Sequence, residues 1–191
     1  MSRRITKEDI RHALSQRQKR APEAEGFTPA AVLIPLYEKA GEYYLVVTKR
    51  TETVNDHKGQ ISFPGGTRQA GDESLMDTAL RESWEEIALN PKDVEILGEL
   101  DSMCTFTTNY VVSPFVAAIP YPYEFRASPK EVEEIIEVPL AALLDRSNFW
   151  EELQPLQREI VPQYFYQYGD RVIWGATARI LKQFLETVFG A

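Results

Sequence analysis

The chain has 191 residues, 43% of them hydrophobic and 26% charged, with a formal net charge of −8. That balance fits one globular domain with a sizeable core, and the acidic total argues against a broad nucleic-acid footprint, which needs a basic face to neutralise phosphates. No apolar run approaches the roughly 18 residues that span a bilayer and no secretory pattern is present. The single cysteine, Cys104, excludes an internal disulfide, so the expectation is a cytoplasmic protein with neither membrane nor nucleic acid as partner.

Charge is unevenly spread. Residues 1–20 hold seven basic and two acidic side chains, net +5, leaving −13 for the rest. Thr6 is placed to cap a helix through Lys7, Glu8, Asp9, Ile10, Arg11, His12, Ala13 and Leu14, with acids early and bases later, so residues 1–22 are expected to be an N-terminal helical segment. Glu8 and Asp9 count against a transit peptide. Ala21 to Gly26 reads as a linker into a hairpin of two apolar runs, Ala30 to Leu36 and Tyr43 to Thr48. Lys49, Arg50, His57 and Lys58 follow, where they could place cations near a bound phosphate or simply be solvated loop charge. His57 alone supports no role.

Phe63-Pro64-Gly65-Gly66 ends a strand-like run in a turn that glycine backbones make easily, and Asp72 or Ser74 can cap the helix beyond it. On that helix Glu82, Glu85 and Glu86 share a face, while Leu75, Ala79, Leu80, Ser83 and Ile87 lie opposite. Three like charges repel, and a hard divalent cation such as magnesium or manganese would relieve them; a solvated acidic face is the plainer alternative. Arg81, one turn ahead of Glu85, is positioned to pair with it. An acidic body that handled phosphate would bring its positive charge as bound metal and a few placed side chains.

Val94 to Leu100 and Val111 to Ile119 are expected strands, joined by a connection from Cys104 to Tyr110 that could cover a nucleotide. Ser128 to Leu140 starts in a turn, supplies Glu131, Glu133, Glu134 and Glu137, and runs through apolar residues into a short helix. Tyr164 to Trp174 reads as a hairpin around Gly169-Asp170, and Ile180, Leu181, Phe184, Leu185 and Val188 give a closing helix its packing face. Strands interleaved with helices predict an α/β fold, one domain over 1–191, with a mixed sheet between helical layers.

The run from Glu73 through Arg81-Glu82 to Glu85-Glu86 resembles the signature of the Nudix hydrolases. Gly66 to Glu73 is one residue longer than in the general signature, and Ala88 stands where glycine usually follows. The longer turn, with Asp72 before Glu73, is similar to the coenzyme A pyrophosphatase branch, as are Val46 to Thr51, His57 to Gly66, Val112 to Val116, Val138-Pro139-Leu140 and Ile173 to Leu181. Thr51 and Asn55 depart from that branch, which usually has serine or alanine and arginine there.

The resemblance implies an α/β/α sandwich and metal-dependent hydrolysis of coenzyme A or acyl-coenzyme A to 3′,5′-adenosine bisphosphate and (acyl-)phosphopantetheine. It implies a magnesium or manganese ion held by Glu82, Glu85 and Glu86 with the Gly65 backbone, supported by Arg81. Arg50, Lys58, Gly65 and Gly66 are expected on the substrate, and Glu131 or Glu134 as fourth ligand or general base. A hydrolase of another nucleoside diphosphate derivative or nucleoside triphosphate is the nearest alternative, and a ligand sensor of the same fold the next. The partner expected is a small nucleotide, and homodimerisation is left open.

Overall fold

The computed structural model describes residues 5–23, 25–51, 59–105, 108–156 and 159–191, so Asn55, His57 and Lys58 lie outside the described residues. Helix α1 (Lys7–Ser15) starts as expected at Thr6, whose hydroxyl accepts from the Asp9 N–H at 3.2 Å while the Asp9 carboxylate accepts from the Thr6 N–H at 2.9 Å. Two otherwise orphaned amides of the first turn are thereby satisfied. The expected hairpin is β1 (Thr28–Lys39) and β2 (Glu42–Arg50), antiparallel and longer at both ends than the apolar runs suggest. Its two turn residues, Ala40 and Gly41, both have positive φ, which matches the twist of the flanking strands.

Six further strands complete an eight-stranded mixed sheet: β3 (Ile61–Ser62), β4 (Gly65–Thr67), β5 (Glu95–Glu99), β6 (Met103–Thr105), β7 (Tyr110–Ala118) and β8 (Val132–Pro139). β1 runs parallel to β7 and antiparallel to β2 and β4. β8 pairs with the other edge of β2 from Tyr44↔Pro139 to Arg50↔Val132. A second, three-stranded sheet is formed by β9 (Phe149–Leu156), β10 (Glu159–Tyr168) and β11 (Arg171–Ile173).

Alternation along the strands divides the core in two. Ile34 and Leu36 of β1, Leu45 and Val47 of β2, and Val116 of β7 face one side, where they pack with Ile10 and Leu14 of α1 and with Leu181 and Phe184 of α4 (Gly175–Phe189). Ala31, Leu33, Val46, Phe115 and Ala117 face the other, against Ala79 and Ile87 of α2 (Leu75–Ile87). The sheet is therefore sandwiched between helices, the α/β architecture the pattern predicts. α3 (Leu140–Leu144) caps the end of β8. No helix among the described residues is long and apolar enough to cross a membrane.

Three segments differ from the sequence reading. Part of the Cys104–Tyr110 connection is strand, because β6 adds to β7 with Cys104 opposite Val111. The acid-rich stretch after Ser128 is mostly β8, whose positions Ile136 and Val138 are buried on the α1 side while Glu133 and Glu137 alternate onto the opposite face. Phe149 to Leu156 is β9, which the proline and three polar residues in it disguise.

Candidate active site

Of the two candidate caps for α2, Ser74 is the one used: it accepts from the Asp77 N–H at 3.2 Å, and Asp77 returns the bond to the Ser74 N–H at 2.9 Å. Asp72 is thereby free for another task. Its carboxylate takes a two-pronged contact from Arg81, Nε to Oδ1 at 2.9 Å and Nη2 to Oδ2 at 3.1 Å. The Gln69 N–H and the Thr78 hydroxyl add bonds at 2.9 Å each. The Arg81 guanidinium foremost, then these neutral donors, holds the Asp72 carboxyl far below the usual carboxylate range. Asp72 in turn raises the pKa of Arg81, which is a permanent cation here.

With Nε and Nη2 anchored on Asp72 and on the Thr67 carbonyl (3.1 Å), Arg81 presents Nη1 to Glu82 at 2.7 Å and to Glu85 at 3.1 Å. The expected Arg81–Glu85 pair is present, but it is the outermost contact of a network centred on Asp72. The sequence offers Asp72 as a cap and as a mark of the longer turn, not as a partner of Arg81; its position nine residues ahead of Arg81 gives no periodic signal, because the chain between them turns before the helix begins.

The three helix glutamates sit in different surroundings. The Glu85 side chain is 49% exposed, that of Glu82 12%, and that of Glu86 2%. Burial pushes the Glu86 carboxyl up to about 8, against the opposing pull of Arg50, and burial also raises Glu82. Glu82 and Glu131 both add to the shift of Glu86, and Glu131 also adds to that of Glu82, so Glu131, just before β8, is near enough to the α2 carboxylates to repel them. Glu134 goes elsewhere. Strand alternation puts it on the side of Ile136 and Val138, and its carboxylate is gripped by Arg171 of β11 at 2.7 and 3.3 Å.

The glycines of β4 explain how two carboxylates fit against a strand. Gly65 and Gly66 are paired with Val32 and Ala31 of β1, so they are strand residues here rather than the turn that the Phe-Pro-Gly-Gly run suggests. A Cβ on Gly65 would fall 2.3 Å from the Ala31 carbonyl oxygen, and one on Gly66 would fall 2.6 to 2.8 Å from the carboxyl atoms of Glu82. Close approach requires glycine at both positions. It is the Gly65 N–H, at 3.3 Å from Glu86 Oε2, that meets the acidic face. Arg50, at the end of β2, places Nη1 3.5 Å from Glu86 Oε1, while its Nε is buried without a hydrogen-bond partner among the described residues.

Among the described residues no three acidic, histidine or cysteine side chains are arranged to hold a metal ion together. Arg81 holds Glu82 and Glu85, and Arg50 and Gly65 hold Glu86. The donor set nevertheless fits a hard divalent cation: all its ligating atoms are oxygens, and Glu86 is buried with its ion-pair partner, the Arg50 guanidinium, 3.5 Å away.

Comparison with known proteins agrees with this architecture. The NUDIX domain family model matches residues 27–164. An uncharacterized Nudix hydrolase, NudL, of Photorhabdus laumondii is 36% identical over 159 residues, covering 83% of this chain and 84% of the relative. Among solved structures, a MutT/nudix family protein from Enterococcus faecalis superposes with TM-score 0.62 at 17% identity over 98% of this chain and 71% of its own. The NUDIX domain of Shewanella oneidensis NrtR, complexed with ADP ribose, superposes with TM-score 0.51 at 20% identity over 70% of this chain and 84% of its own. A sequence likeness spanning most of both chains, with the shared fold, establishes that the chain belongs to the Nudix family and is a Nudix hydrolase, a pyrophosphohydrolase.

Proposed function

We propose that this Nudix hydrolase splits the pyrophosphate bond of coenzyme A or an acyl-coenzyme A, releasing 3′,5′-adenosine bisphosphate and (acyl-)phosphopantetheine. The observation that carries the chemistry is the Glu86 carboxyl, which is 2% exposed, lies 3.3 Å from the Gly65 N–H and 3.5 Å from Arg50, and is shifted to about 8 chiefly by burial, with Glu82 and Glu131 adding to the shift. Such a group is costly as a free anion and is stabilised by a bound cation. What supports the substrate is the resemblance in the longer turn, where Asp72 has a defined use as the anchor of Arg81.

In this reading Glu82, Glu85 and Glu86 hold Mg2+ or Mn2+, which when bound neutralises pyrophosphate oxygens and acidifies a water. Arg81, fixed by Asp72, sets the orientation of Glu82 and Glu85. Gly65 and Gly66 keep the strand thin enough for the phosphates and carboxylates to meet. The Arg50 Nε, which has no partner among the described residues, is assigned to donate to a phosphate oxygen, and Lys58 is assigned the same class of contact. Glu131 is assigned as general base, taking the proton of the attacking water on its carboxylate; Glu134, engaged with Arg171, is assigned to structure.

The test is incubation of the purified chain with coenzyme A and magnesium, with products read by mass, beside ADP-ribose and a set of nucleoside triphosphates. Adenosine bisphosphate and phosphopantetheine are the expected products. Turnover of another member of the set and none of coenzyme A would overturn the substrate assignment.

A further inference from the structure

A cleft of about 660 Å³ opens on the α2 side of the sheet, lined by Tyr123, Glu124, Phe125, Arg126, Ile135 and Glu137. That is the size of a small-molecule site. Its walls are fixed to the candidate active site. The Arg126 N–H donates to the Ile87 carbonyl at 3.1 Å and the Ser128 N–H to the Glu86 carbonyl at 2.8 Å, tying one wall to the last turn of the acidic helix. The other wall is β8. Ile135 and Glu137 lie four and six residues beyond Glu131, about 13 to 20 Å along an extended strand. The cleft thus adjoins both elements that carry the site's carboxylates, the end of α2 through its backbone bonds and the segment of β8 that follows Glu131.

The lining has a definite chemistry. Tyr123 and Phe125 form an aromatic wall with ring centroids 5.0 Å apart. The Tyr123 hydroxyl accepts from the Asn90 N–H at 2.8 Å and donates to Asp93 at 3.1 Å, which locks the ring. Glu137 is held by the Tyr37 hydroxyl at 2.5 Å on one carboxylate oxygen, and Tyr37 is itself stacked between Tyr44 and Tyr121. Arg126 is exposed and forms no ion pair among the described residues. A flat ring, hydrogen-bond donors on its edge and one anion are what such a lining complements.

Resting on the coenzyme A reading, we infer that this cleft binds the phosphorylated adenosine end of the substrate. The base lies against Tyr123 and Phe125, its exocyclic amine donates to Glu137, and its 3′-phosphate meets Arg126. The carboxylates of Glu124 and Glu137 in the lining confine anion binding to the Arg126 side of the cleft.

The test titrates 3′,5′-adenosine bisphosphate and adenosine by calorimetry into the parent, Arg126→Ala and Glu137→Gln, with melting temperatures as a check on folding. Arg126→Ala is expected to weaken the bisphosphate roughly tenfold or more and to leave adenosine unchanged, while Glu137→Gln weakens both. With coenzyme A as substrate, Arg126→Ala is expected to raise KM by a similar factor with kcat within about twofold. Equal affinities in all three proteins, or no binding by the parent, would overturn the inference; should Glu137→Gln not fold, Arg126→Ala decides. A parent that cleaves coenzyme A with KM unchanged in the variants keeps the substrate and loses the cleft. A parent that shows the binding pattern but does not cleave coenzyme A loses the substrate and keeps the cleft.

Discussion

Gly66 is where steric room and charge meet most closely. A methyl group there would lie 2.6 Å from the Glu82 carboxyl carbon, and a carboxylate at the end of a flexible side chain can retreat from it. Gly66→Ala should therefore leave the melting temperature close to the parent's but displace Glu82, lowering Mn2+ affinity roughly tenfold. Calorimetric titration of the metal checks this, and parental affinity would count against a ligand role for Glu82. Asp72 is the second point. Its folded pKa is depressed by Arg81, so the stability it contributes is fully present above its unfolded value of about 4 and is lost as pH falls through the folded value. Asp72→Asn should cost roughly 2 kcal/mol at pH 7 and make the loss of stability on acidification below pH 4 shallower than in the parent. Chemical denaturation across that range reads both effects, and an unchanged acid limb would show that the pair contributes no pH-dependent stability. The Arg81–Glu85 contact was legible from helical spacing; Asp72 was not, because its partner is reached across a turn.

At the scale of elements, the segments that sequence patterning exposed were those with strong local signals. α1 has a full capping box, the β1–β2 hairpin has unbroken apolar runs, and α4 carries a helical stripe that is buried at Ile180, Leu181, Phe184 and Leu185. β8 and β9 lacked such signals. β8 is an edge strand whose glutamates at 133, 134 and 137 interrupt the apolar run, and only its pairing with β2 reveals that Glu131 and Glu134 part company. β5 shows how an element is placed by the absence of a side chain: a Cβ on Gly98 would sit 2.7 Å from the Leu14 Cβ, so α1 lies directly on the strand. Gly98→Val should lift α1 and destabilise the protein by about 1–3 kcal/mol, with little effect on KM because the helix is on the face away from α2. A denaturation midpoint equal to the parent's would refute that docking.

Over the whole molecule, the arrangement is a sheet with packing helices on one face and a charged helix on the other. The acidic total visible in the sequence becomes meaningful once Glu86 is seen to be 2% exposed beside Glu82 and Glu131, with Arg50 as its nearest cation. A neutral side chain of the same shape removes the ligand charge without leaving a buried anion behind, so Glu86→Gln should fold at least as stably as the parent in the absence of metal. The decisive measurement is turnover with magnesium by the parent and by Glu86→Gln side by side, on the substrate that the parent cleaves, with melting curves of both. The account predicts an intact fold and turnover lowered roughly a hundredfold or more. A folded Glu86→Gln protein that retains turnover within a few-fold of the parent would contradict it.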